Sequence, residues 1–73
     1  MGRLIRLDRS GHTTLAEWAV GDEAAEAKAR AAFEEELDRG LIGSASRDGA
    51  AEVVRELPLD AELVVMRRPI AGG

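Results

Sequence analysis

The sequence predicts an α+β domain of order ββαβββ, with one helix packed across one face of a mixed sheet. Three observations carry this reading. One stretch, from Asp22 to Gly40, places apolar residues at three- and four-residue spacing. On either side of it lie short apolar or β-branched runs, each bounded by turn residues. The chain of 73 residues has room for one domain, which buries only about 60% of the surface its unfolded form exposes.

The elements follow in order. Arg3 to Leu7 is a half-buried strand, and Asp8-Arg9-Ser10-Gly11 supplies the turn out of it. His12 to Trp18 carries the β-branched and aromatic content of a second strand, so the first two elements make a hairpin. Asp22 is a helix N-cap, and Glu23 and Glu26 sit where the helix dipole favours negative charge. The stripe Ala25, Ala29, Ala32, Phe33 and Leu37 faces the core, with Phe33 and Leu37 as its anchors. Glu26 with Arg30 and Glu35 with Arg39 are i,i+4 pairs on the wet side. Successive helix residues point in different directions, so Glu34-Glu35-Glu36-Asp38 reads as a solvated face. Gly40 ends the helix in the left-handed conformation.

Leu41 to Ser46 is a weak strand, rich in glycine and serine, and is expected at a sheet edge. Asp48-Gly49 makes a tight hairpin turn into Glu52 to Leu57, and Pro58 forces the chain out of that strand. Leu63 to Met66, four apolar residues in succession, is an interior strand covered on both faces or nearly so. Pro69 ends regular pairing, which leaves 69–73 as a flexible tail on a single domain spanning 1–73. Trp18 is read as a core filler in preference to an interface anchor.

Composition narrows the function. Cysteine is absent and His12 is the only histidine, so a thiolate nucleophile and a disulfide framework are excluded and no metal site is expected. The net charge of -4 disfavours nucleic acid and anionic membrane as partners, although Arg67-Arg68 forms a local basic spot. No run approaches a membrane span, no signal peptide is visible, and Arg6 breaks the myristoylation pattern begun by Met1-Gly2, so the expected setting is cytoplasmic. Asp8, Ser10 and His12 share one short turn and cannot converge as a triad. No glycine loop for a nucleotide is present, so the chain is not expected to be an enzyme or to hold a cofactor. The last residues, Gly72-Gly73, have no Cβ and make a thin tail suited to a narrow channel. Such a tail suits a protein whose C-terminal carboxylate is itself the reactive group.

The strand and helix order, the Asp48-Gly49 turn, Leu57 to Met66, and Arg68-Pro69-Ile70-Ala71-Gly72-Gly73 resemble the β-grasp proteins. Within that fold they look like the endings of ubiquitin-like and sulfur-carrier proteins, in particular the molybdopterin-synthase small subunit and the thiamine-pathway carrier. The first half departs from the carriers at Ser10-Gly11-His12-Thr13-Thr14. The stretch from Leu7 through Trp18, with the Pro-Ile-Ala-Gly-Gly end, is also similar to small uncharacterised proteins of actinobacterial phages and their hosts.

The carrier resemblance implies that a partner adenylating enzyme activates the Gly73 carboxylate, with Gly72 and Gly73 as the reactive terminus and Arg67, Arg68, Ile70 and Ala71 as the partner-binding segment. The alternative is a non-catalytic adaptor that binds a protein through its sheet edge or helix, as a monomer or a weak homodimer.

Overall fold

A computed structural model describes residues 1–47 and 49–69. Its elements are β1 (Gly2–Asp8), β2 (Gly11–Trp18), α1 (Glu23–Asp38), β3 (Ile42–Arg47), β4 (Ala50–Val54) and β5 (Leu63–Arg67). The five strands form one sheet in the order β2-β1-β5-β3-β4. β1 and β5 are parallel at the centre, and the other neighbours are antiparallel. With α1 packed against this mixed sheet, the architecture is the ββαβββ arrangement the sequence predicts.

Local chemistry sets the helix ends. The Asp22 carboxylate accepts from Ala25 N–H at 3.2 Å, and Glu26 reaches back to accept from Gly21 N–H at 3.1 Å instead of pairing with Arg30. At the other end Gly40 takes φ of 92°. Gly40 N–H donates to Leu37 C=O and Leu41 N–H to Glu36 C=O, the paired bonds of a Schellman cap. Glu35 and Arg39 form the expected pair at 3.1 Å.

Register sorts the sheet into two faces. Leu4, Val64 and Ala45 are neighbours across three strands, and all are fully buried on the helix side. One residue further along, Ile5, Val65, Ser44 and Val53 form a row on the opposite face, half-buried at the centre and exposed at Val53. β5 is therefore covered on one face only, and not on both as its apolar run implies. On the helix side, Ala29 and Phe33 are buried, while Ala25, Ala32 and Leu37 pack partly against the core. Leu57 and Ala61, with Leu59 half-buried, close the layer from the segment between β4 and β5. Trp18 is a core residue, and its Nε1–H donates to Leu59 C=O at 2.9 Å.

Three further expectations are corrected. β3 lies inside the sheet between β5 and β4, so the edges are β2 and β4, and Ser44 and Ser46 do not line an edge. Its small residues are what an interior place under the helix requires, since Phe33 fills the space over Gly43. β4 starts at Ala50 and stops at Val54, so Leu57 leaves the ladder and joins the core. Glu36 is buried, at 3% exposure, and is not part of a solvated acidic face.

Two strand glycines hold the two aromatic rings. A methyl group on Gly43 would lie 2.6 Å from Phe33 Cε1, and one on Gly2 would overlap the Trp18 indole. Gly43→Ala and Gly2→Ala are each expected to lower stability by about 1–3 kcal/mol through overpacking. Gly40→Ala, where the space is open but φ is positive, is expected to cost about 1 kcal/mol through backbone strain alone. Urea denaturation checks this, as a fall in midpoint at unchanged slope.

Candidate functional site

Because β1 and β5 run parallel, with Arg6 beside Met66, their carboxyl ends finish side by side. Three pieces of chain meet there: the β1–β2 turn, the end of α1 and the residues that follow β5. Between them lies an open depression lined by Arg6, Arg9, Arg39, Arg67 and Arg68. Leu7, Leu41 and Pro69 add apolar surface to the same lining.

The five guanidinium groups are held differently. Arg6 Nη1 donates to both oxygens of Glu36, at 3.1 and 3.4 Å. Arg39 Nη1 lies 3.5 Å from Glu36 Oε2, and its Nη2 is 3.1 Å from Glu35 Oε1. A buried carboxylate is costly unless paired and hydrogen-bonded, and Glu36 meets both conditions with two arginines from different elements. No buried side-chain polar atom lacks a partner among the described residues. Arg9 and Arg68 are exposed and Arg67 is half-buried, and none of the three has an ion pair among the described residues.

The turn beneath Arg9 is fixed by Asp8. Its Oδ1 accepts from Ser10 N–H at 2.9 Å and from Ser10 Oγ–H at 2.6 Å. The Ser10 hydroxyl and then the Ser10 backbone N–H hold the Asp8 carboxyl below its ordinary value of 3.8, with smaller help from Arg6 and Arg68. His12 is placed across the hairpin from Leu7, and the Ser10 hydroxyl donates to Asp8.

Of the residues named from sequence, Arg67 and Arg68 stand at this depression, while Ile70, Ala71, Gly72 and Gly73 lie outside the described residues. Sequence reasoning missed Arg6, Arg9 and Arg39. The signal was latent in the strand order: once β1 neighbours β5, the turn after β1 must stand beside the residues after β5. Among the described residues no group of three or more His, Asp or Glu side chains is arranged to hold a metal ion. Among the described residues no helix is long and apolar enough to cross a membrane. No family model, curated protein or solved structure matches the chain.

Glu36→Ala is expected to cost about 1–3 kcal/mol, because it strips Arg6 and Arg39 of a charged acceptor. Arg6→Met added to it should recover part of the loss, since the half-buried Arg6 cation is then no longer left without its acceptor; a double-mutant cycle by denaturation measures it. The Asp8 carboxyl should titrate below 3.8 by carboxyl NMR and return toward it in Ser10→Ala. A lowered folded pKa means that the Asp8 contribution to stability is present above about pH 3.8 and is lost as pH falls through the folded value.

Proposed function

We propose that the chain is a small ubiquitin-like or sulfur-carrier protein whose Gly73 carboxylate is activated by a separate adenylating enzyme. The chain is then a protein substrate working in the cytoplasm, and the ATP chemistry belongs to its partner. In the first step a carboxylate oxygen attacks the α-phosphorus of ATP, forming an acyl-adenylate and releasing pyrophosphate. A sulfide or thiol next attacks the acyl carbon, a C–S bond forms, and AMP leaves with the bonding electrons. The product is a thiocarboxylate that carries sulfur or a thioester that passes the acyl group to an amine.

The observation that carries this reading is the exit of the chain from the centre of the sheet. β5 is the middle strand of the five, and beyond Arg67 the chain runs through exposed Arg68 and Pro69 beside the arginine-lined depression. A partner that grips the chain end thus meets a firm body and a charged surface together, and charge there speeds encounter more than it adds affinity. Arg67 and Arg68 serve this docking, and Ile70 and Ala71 continue it toward Gly72 and Gly73.

A second reading, a non-catalytic adaptor that binds a protein partner, is favoured by the β4 edge. Among the described residues Ala50–Val54 pairs on one side only, and Val53 is 64% exposed, so the strand offers an edge to a partner strand or a second copy.

Deleting Gly73, or adding one residue after it, separates the two. The carrier loses all activity, whereas the adaptor binds as before. Intact-mass spectrometry of the chain from its native host should show a sulfur-for-oxygen exchange or a covalent conjugate. Unmodified chain under conditions that demand its activity overturns the carrier reading.

A further inference from the structure

We infer that the depression at the carboxyl ends of β1 and β5 is a docking site for an acidic protein segment that also carries apolar side chains. The charge argument comes first. The chain as a whole is negative, at -4, yet five arginines gather here. Among the described residues, the acids tied to them are Asp8, Glu35 and Glu36. Glu35 and Glu36 are engaged by Arg39 and Arg6, and the Asp8 carboxylate is occupied by Ser10. Arg9, Arg67 and Arg68 therefore present guanidinium groups that form no ion pair among the described residues, with the Asp8 carboxylate acting on Arg68 only at longer range. Like charges gathered without counter-charge repel one another, and an anionic partner relieves that repulsion.

The lining decides the kind of anion. Leu7 is 48% exposed, and Leu41 and Pro69 lie with it among the arginines. A phosphoryl group is served by converging donors in a tight nest. This surface is broad and open, and its apolar members have nothing to offer a phosphate. A segment that alternates carboxylates with aliphatic side chains satisfies both halves of the lining. The guanidinium groups pair with the carboxylates, and Leu7 and Leu41 cover the aliphatic groups. Arg6 and Arg39 act as positioning residues, because the buried Glu36 fixes them and keeps the floor in shape.

The site stands on this geometry. Identifying its occupant as a groove of the activating enzyme rests on the carrier proposal, and there it supplies the chemistry of the partner.

The experiment follows amide shifts of the full-length, nitrogen-15-labelled chain during titration with a peptide alternating Glu and Leu. A Lys–Leu peptide and inorganic tripolyphosphate serve as comparison probes. The Glu–Leu peptide should shift the amides of Leu7 to Ser10, Arg39 to Leu41, Arg67 and Arg68, and binding should weaken as salt rises. The double reversal Arg67→Glu with Arg68→Glu should weaken it by roughly tenfold or more. Arg3→Glu, outside the depression, should leave it unchanged. If the double reversal unfolds the chain, the wild-type probe order decides the matter. Absence of shifts at these residues overturns the inference, as does equal binding of the Lys–Leu peptide. Tripolyphosphate binding as tightly as the Glu–Leu peptide overturns it in favour of a phosphoryl ligand. A chain lacking Gly72 and Gly73 should bind the peptide normally, so failure of the docking site and failure of the tail chemistry are told apart.

Discussion

The fold depends on the close approach of two aromatic rings to two strand glycines. The chain has one tryptophan and one phenylalanine, and both are buried, at 1% exposure. The Trp18 ring occupies the volume that a Gly2 side chain would fill, and the Phe33 ring does the same at Gly43. Each contact joins different elements: β2 closes over β1 through the first, and α1 seats on β3 through the second. In a domain of this size the remaining core is largely alanine, valine and leucine, with Met66, so each large ring supplies a major share of the buried apolar area. A glycine weakens a strand as a local element. Here that weakness is offset by the packing that the missing Cβ allows.

The same contacts explain which parts of the fold were legible in sequence. The helix ends were readable because their causes are local. Asp22 caps N–H groups within three residues, and Gly40 adopts the positive φ needed to close its own helix. The Asp8–Gly11 turn is equally local. The place of β3 was not readable, because Gly43, Ser44 and Ala45 look like a poor strand until Phe33 is known to lie over them. Local preference put this strand at an edge, and a long-range contact puts it inside. β5 shows the converse: its continuous apolar run implies two covered faces, yet one helix can cover only one.

Glu36 fails to be legible for a related reason. It sits among acidic neighbours, and composition assigns the group to solvent. The helix turn, however, places Glu36 three residues after Phe33, on the buried side. A carboxylate brought there by the phenylalanine must be neutralised, and Arg6 on β1 and Arg39 at the helix cap do so. Half of the candidate site therefore arises from core geometry. Only Arg67 and Arg68 were visible as a basic spot, because they alone are adjacent in sequence. Arg6, Arg9 and Arg39 join them through strand pairing and the helix stop.

This division has a consequence for how the two parts of the site relate. Arg6 and Arg39 are both bound to a buried acid, and losing both would leave Glu36 unpaired, so the floor of the depression is tied to the core through Glu36. Arg9 stands on a turn held by two hydrogen bonds to Asp8, and Arg68 follows the last strand with its side chain exposed. A rigid floor under adjustable outer arginines suits recognition of a segment with variable spacing between its carboxylates, because the outer groups adapt while the floor fixes register. It also makes the surface a property of the folded body, set by Phe33, Glu36 and the β1–β5 pairing.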